Sequence, residues 1–223
     1  MKKIFLLAVI AISFTFTANA QKLGFGVEVG GNLSNIYSET PTVKKSSDYL
    51  LGFQAGAFVD YSITDNLFIK AHFLFFTKGS YEKNEVTALG VTTKETWKSS
   101  PMYINIPIVF GVGFEIGDIK PYANAGVYLA YGVGGKQKYD NKVGSLENSY
   151  TTDFFIDNIE NTLANYFHSH DAFDFGARVG IGLEFTNKYL VEINYDLGLI
   201  DIAPKDNILK KNNALSLTFG YRF

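Results

Sequence analysis

The chain has 223 residues, a formal net charge of −2, no cysteine and an aromatic fraction of 16 %. Lack of cysteine excludes a disulfide framework, thiolate catalysis and thiolate metal binding. Mild acidity with no basic stripe excludes nucleic acid as a partner.

Residues 1–20 read as a cleaved signal peptide, with Lys2 and Lys3 at the start, an apolar run over 4–16 and the small-residue step Ala18-Asn19-Ala20. The apolar run is shorter than the ~20 residues of a spanning helix, and no later stretch reaches that length. What remains, 21–223, is one domain's worth of chain. Without Lys2 and Lys3 the basic count falls from 20 to 18, against 22 acidic residues.

Eight stretches alternate between apolar and small or polar residues, the period of a strand with two different faces. The first, 22–34, sets Leu23, Phe25, Val27 and Val29 against Gly24, Gly26, Glu28 and Gly30. The second, 49–63, and third, 67–78, repeat the pattern, with Asp60, Lys70 and His72 on their non-apolar faces. In the fourth, 102–115, Pro107 interrupts a run of isoleucines; proline cannot donate to a ladder, so a bulge is expected there. The fifth, 120–133, is weaker. The sixth, 172–185, is the clearest, with Phe173, Phe175, Ala177, Val179, Ile181, Leu183 and Phe185 against Asp174, Gly176, Arg178, Gly180, Gly182 and Glu184. The seventh starts at Tyr189 with Glu192, Asn194 and Asp196 on its polar face, and the last, 214–223, ends on Phe223.

The connections at 64–66, 116–119 and 186–188 are tight, whereas 35–48, 79–101, 134–171 and 201–212 are long. Alternating short and long connections with an even strand number predict an all-β fold: an eight-stranded antiparallel up-and-down transmembrane β-barrel, with short periplasmic turns, four long extracellular loops and both termini periplasmic. A lipocalin-like soluble barrel is the competing reading. It fits less well, because the non-apolar faces are rich in Gly and carry few charges for a water-exposed surface. Aromatics near the strand ends are expected to form interfacial girdles: Phe114, Tyr122, Phe185, Tyr189 and Phe223 on the turn side, Tyr49, Phe76, Tyr131 and Phe173 on the loop side.

A barrel of about eight strands is filled by its own side chains, so no open pore is expected. Charges removed from water need partners. Arg178 and Arg222 are therefore expected to pair with acids such as Glu28, Glu184 and Glu192, as a structural plug in preference to an ion path.

Several segments resemble a known family: Gly26-Val27-Glu28-Val29-Gly30-Gly31-Asn32-Leu33-Ser34, Tyr103-Ile104-Asn105-Ile106-Pro107-Ile108, Lys120-Pro121-Tyr122-Ala123-Asn124-Ala125-Gly126, Phe173-Asp174-Phe175-Gly176 and Tyr195-Asp196-Leu197-Gly198-Leu199. In order and spacing they are similar to the PorT-like outer-membrane β-barrel proteins of Bacteroidota. The resemblance spans nearly all of 21–223 and implies location in the cell outer membrane. It supplies no mechanism, since a few members serve protein secretion and most have no assigned activity. It implies contact with outer-membrane lipid and lipopolysaccharide, and recognition by the barrel-assembly machinery through the last strand and Phe223.

The third long loop holds His168, Ser169, His170 and Asp171. A Ser–His–acid set needs nucleophile and base in hydrogen-bond reach with a third group orienting the base, and Ser169 between two histidines is poorly placed for that. Two histidines at alternate positions could share a metal with Asp171 or Asp174, yet so short a motif is better read as a solvated loop. No catalytic residues, metal or cofactor are therefore expected. In the same loop, 152–167 has helical spacing and is expected to cap the barrel mouth; 86–92 in the second long loop is β-like and extends a hairpin. The function read from the sequence is a non-enzymatic outer-membrane barrel whose loops bind a surface ligand or an envelope protein partner. The alternatives are a hydrolase of lipid A or peptide using His168 or His170, and an accessory barrel in protein secretion.

Overall fold

The computed structural model describes residues 22–39, 44–88, 90–144, 146–155, 167, 170–203 and 209–223. Eleven strands are found in this part: β1 (Leu23–Glu39), β2 (Lys44–Ser46), β3 (Asp48–Ser62), β4 (Leu67–Thr77), β5 (Ser80–Ala88), β6 (Val91–Gly113), β7 (Ile119–Val143), β8 (Leu146–Asp153), β9 (Phe173–Phe185), β10 (Tyr189–Gly198) and β11 (Leu209–Arg222). The expected leader, 1–20, and most of the expected loop helix, 156–166, lie outside the described residues.

Eight of these strands form a closed antiparallel ring. Each pairs with the next in the order β1, β3, β4, β6, β7, β9, β10, β11, and β11 returns to β1 through Gly26↔Arg222 and Ser34↔Ala214. Closure leaves no edge along the ring itself. The turns at one end are tight; between β9 and β10, Thr186 and Asn187 both take positive φ (50° and 56°), the primed geometry that follows strand twist.

The two faces follow the alternation. Phe25, Val27, Phe73, Ile108, Phe110, Val179, Ile181, Ile193 and Phe219 are exposed on the outside, while Glu28, Asn32, Gln54, Asp60, Lys70, His72, Arg178, Glu192 and Thr218 are buried inside. The exterior is apolar and the interior polar, the inverse of a water-soluble protein. Phe114, Tyr189 and Phe223 at the turn end, and Tyr49, Tyr131 and Phe173 at the loop end, are exposed as expected of a girdle. Two of the expected girdle residues are not in it. Phe76 is 0 % exposed and Tyr122 is 6 % exposed. Both have the parity of inward-facing neighbours, Lys70 and His72 for Phe76, Asn124 for Tyr122, so the pleat turns them into the ring.

Glycine makes room for these rings. A Cβ on Gly182 would lie 2.4 Å from the Tyr122 ring, one on Gly26 2.4 Å from Phe58, one on Gly111 2.1 Å from Phe68 and one on Gly176 2.5 Å from Tyr128. The glycine-rich inner faces are thus sockets for aromatic side chains from neighbouring strands, the pairing of glycine with a covering ring that small barrels need.

Pro107 carries no bulge. It pairs in register with Tyr128 on β7, and the β4–β6 ladder omits only His72 opposite Pro107 and Phe73 opposite Ile106, resuming without a shift at Leu74↔Asn105. The missing N–H is absorbed by leaving that ladder step unmade. The bulge falls between Met102 and Tyr103, where β7 passes from Gly134 to Gly132 and leaves Val133 as the extra residue.

The expected long loop 79–101 is largely strand, and so is the first part, 134–153, of the expected loop 134–171. Residues 80–88 and 91–99 form a hairpin, and β6 and β7 continue together past the ring to Thr93↔Val143, with β8 added outside β7. The result is a four-stranded sheet, β5-β6-β7-β8, rising from one side of the ring's loop end. Thr, Val and Tyr along these segments favour strand here over loop.

Replacing Gly176 with Val should destabilise the folded ring by about 1–3 kcal/mol, since its Cβ would meet both the Tyr128 ring and the Leu197 carbonyl oxygen. Urea titration of the protein in lipid vesicles measures this, and an unchanged midpoint would show that the inner wall is looser than described.

Candidate functional site

The ring interior is a stack of buried ion pairs. At the turn end Arg222 donates from Nη2 to Asp60 Oδ1 at 2.8 Å and from Nη1 to Glu184 Oε1 at 3.2 Å. Next, Lys70 Nζ on β4 lies 2.5 Å from Glu192 Oε1 on β10, and Tyr122 Oη donates to the same oxygen at 2.5 Å. His72 Nδ1 is 2.7 Å from Glu28 Oε1. Farther along, Arg178 grips Asp196 with two parallel bonds, Nε to Oδ1 at 2.5 Å and Nη2 to Oδ2 at 2.8 Å. Lys78 Nζ reaches Asp174 Oδ2 at 2.8 Å, and Asn212 Nδ2 donates to that oxygen at 3.0 Å.

Both buried lysines sit in aromatic boxes. Lys70 Nζ lies 5.2, 5.6 and 4.9 Å from the ring centres of Phe58, Phe68 and Tyr122. Lys78 Nζ lies 5.6, 5.2 and 4.3 Å from Phe76, Tyr103 and Tyr128. A carboxylate on one side and ring faces on the others replace the hydration shell that burial removes.

The loop end is closed by apolar side chains. Phe154, Ile36 and Ile202 form a cluster, and Phe155 packs edge-on against Tyr103 at 5.4 Å between centroids. Phe155 fits over Gly132, whose Cβ would lie 2.1 Å from its ring. The helix expected over 152–167 falls mostly on residues outside those described; of its first residues, 152–153 belong to β8, and Phe154 and Phe155 pack at the loop end of the ring.

Of the predicted interior charges, Glu28, Arg178, Glu184 and Glu192 are buried inside the ring, and the half-buried Arg222 reaches inward to Asp60 and Glu184. The pairing differs. Arg222 meets Glu184, but Arg178 is taken by Asp196, Glu28 by His72 and Glu192 by Lys70. Parity identifies who faces inward; who meets whom depends on the stagger between strands, which no local pattern states. Lys78 was missed because it closes its stretch, although it shares the parity of Lys70 and His72.

The loop residues separate. His168 is outside the described residues. The His170 ring stacks on Phe154 with centroids 4.1 Å apart and is 6 % exposed. Asp171 is exposed, and its backbone N–H donates to the Ile202 carbonyl oxygen at 2.8 Å. A different trio, Glu28, His72 and Glu192, brings ligand atoms within 4.8 Å of one another. The Glu192 carboxylate of this trio is already paired with Lys70, and the Glu28 carboxylate already lies in hydrogen-bond contact with the His72 ring.

A family model described as outer membrane protein beta-barrel domain matches residues 19–203, and the chain belongs to that family. The closed ring is thus an outer-membrane β-barrel. No curated protein sequence matches the chain. Among solved structures it is similar to the outer membrane protein OprG from Pseudomonas aeruginosa, at 15 % identity and TM-score 0.43, covering 91 % of this chain and 97 % of that one. It is also similar to Ail, the attachment invasion locus protein of Yersinia pestis, at 14 % identity and TM-score 0.37, covering 91 % and 99 %. The outer membrane enzyme PagL gives 14 % identity and TM-score 0.38, covering 85 % and 97 %.

Replacing Asp196 with Ala should cost about 3–5 kcal/mol of stability, because it strands the Arg178 guanidinium in a dry interior. The double variant Arg178→Met, Asp196→Leu should recover most of that loss. Unfolding in urea measures both, and equal losses in the two variants would contradict the pairing.

Proposed function

We propose that this outer-membrane barrel is a non-enzymatic binding protein of the PorT-like kind, with both termini and the tight turns in the periplasm and the β5–β8 sheet outside the cell. Its lumen conducts nothing, and the projecting sheet and mouth loops bind a surface ligand or another envelope protein. The observation that carries this reading is a contrast within one molecule. The interior is occupied from Arg222 to Phe154 by paired charges and rings, while β8 exposes nearly all of its side chains and is paired, among the described residues, with β7 alone. A free strand edge is a natural place for a partner's strand to add.

Burial of His170 against Phe154 supports the non-catalytic reading over a hydrolase at His170. A role in secretion is a special case of the same proposal, in which the bound partner is a component of a secretion machine.

The test is crosslinking in native outer membranes, comparing the full chain with a variant whose hairpin tips, 83–96 and 139–150, are replaced by tight turns. The ring pairings lie outside these segments, so the variant should still insert. One specific envelope protein or surface glycan captured by the full chain and lost by the variant is the expected result. Identical capture by both would overturn the assignment of binding to the sheet.

A further inference from the structure

The buried carboxylates of the ring interior are matched by lysine or arginine, with one exception. Asp174 has Lys78, Asp196 has Arg178, Glu192 has Lys70, and Asp60 and Glu184 share Arg222. Glu28 is the exception. Among the described residues its ion-pair partner is the His72 ring, which carries a full charge only when protonated. Glu28 is 7 % exposed, so water does not make up the difference. A carboxylate placed in this way calls for a cation.

Its surroundings are those of a metal site. Glu28 on β1, His72 on β4 and Glu192 on β10 come from strands that are not neighbours, and their ligand atoms converge across the lumen to within 4.8 Å of one another. Ligands bound at ~2.1 Å to one ion stand roughly 3–3.5 Å apart. The 2.7 Å contact between His72 Nδ1 and Glu28 Oε1 would open slightly, and the wider separations would close by on the order of 1 Å.

The Lys70 bond does not stand in the way. Lys70 and Tyr122 both approach Glu192 Oε1, whereas Oε2 receives, among the described residues, Asn194 Nδ2 at 3.2 Å. A carboxylate held like this keeps lone pairs for an ion and is oriented by its outer contacts, as metal-bound carboxylates are.

Two orphaned amides stand beside the trio. Gln54, 1 % exposed, donates to Thr218, the residue directly opposite Glu192, and its Oε1 has no hydrogen bond among the described residues. Asn124 has none on either side-chain atom and, together with Asn194, crowds the space in front of Gly180. Amide oxygens serve as neutral metal ligands beside carboxylates.

The approach is from the turn end. A cavity of about 680 Å³ opens there between Lys22, Asp65 and Glu115, and shares Lys120, Glu184 and Arg222 with a smaller one of about 20 Å³ that reaches Lys70 and Tyr122. The smaller cavity has room for a single water-sized species. Phe154, Ile36 and Ile202 pack at the loop end, so the path is blind and carries no through-flow.

We propose that Glu28, His72 and Glu192 bind one divalent transition-metal ion, with an amide oxygen of Gln54 or Asn124 as a fourth ligand, and that the ion clamps β1, β4 and β10 across the lumen. It takes the place of the hydrogen that lies between His72 Nδ1 and Glu28 Oε1, and its charge answers the carboxylate that has no lysine or arginine. One imidazole with two carboxylates favours Zn²⁺ or Mn²⁺ over Mg²⁺ and Ca²⁺, which take oxygen ligands.

The test uses the full chain folded into lipid vesicles with Zn²⁺ and freed of unbound metal by gel filtration. Metal content is measured by mass spectrometry, and affinity by competition with a chelator. Wild type should hold about one ion per chain. His72→Gln and Glu28→Gln should bind Zn²⁺ about a hundredfold more weakly or worse, and Tyr122→Phe, which alters only an outer contact of Glu192, about tenfold. Urea unfolding gives a second reading. Zn²⁺ should raise the wild-type midpoint and leave those of His72→Gln and Glu28→Gln unmoved, while the midpoints without metal show that both variants fold. The double variant His168→Ala, His170→Ala should bind as wild type does. Folded wild type that retains no Zn²⁺, or equal affinity in wild type and the His72 and Glu28 variants, would overturn the proposal. So would loss of the ion on replacing the two loop histidines, which would put the metal at the barrel mouth.

Discussion

Everything inside the ring follows from one constraint: a charge taken out of water must find its counter-charge and its hydrogen bonds within reach of its own strand. The Arg178–Asp196 pair, with the guanidinium 1 % exposed, satisfies it with two parallel bonds, the strongest geometry available to that pair of groups. Lys70 and Lys78 satisfy it with one carboxylate and three rings each. The rings then demand space, which glycines on adjacent strands provide, and so the lumen fills. A closed interior is a consequence of how the charges are paired, and the outer-membrane barrel has no need of a separate plug domain to seal it.

Much of this is written in the alternation of residues. The sixth stretch, with seven apolar residues on one side of Asp174, Arg178 and Glu184, corresponds to β9 from its first residue to its last, because a two-faced strand admits only one period and a slip of one residue would turn every side chain over. The same parity sorts Tyr122 and Phe76 into the interior, although their position near strand ends suggested a girdle. Position along the chain is a weaker guide than parity when the two disagree.

Other features were illegible for physical reasons. The partner of Arg178 is fixed by barrel stagger, a relation between strands far apart in sequence. Pro107 was expected to break register, yet a single omitted ladder step accommodates it, while the actual bulge sits at Val133, where only the glycines at 132, 134 and 135 hint at irregular backbone. The sheet beyond the ring was legible only in part: 86–92 reads as β and extends a hairpin, whereas 134–143 and 146–153 lack a continuous apolar face. Amphipathic period is the signal that marks a strand half-buried against a core, and β8, which buries almost nothing, does not have it.

The bulge links the fold to the sheet's use. By placing an extra residue in β7, it switches that strand's parity: Gln137 and Tyr139, odd-numbered like the outward Leu129 and Tyr131, turn to the side of the ring interior, and the even-numbered Lys136 and Lys138 turn outward. One strand pair therefore carries the lumen wall, the lipid-facing wall and both surfaces of the projecting sheet.

The claim on which the rest stands is that the lumen is closed by its own paired side chains. Conductance of the purified protein in a planar lipid bilayer tests it directly. A closed lumen predicts no stable current steps in concentrated potassium chloride, at either polarity. Steady ohmic steps from the wild-type protein would contradict the account, because ions could then pass between Arg178 and Asp196 or around the Lys70 and Lys78 boxes.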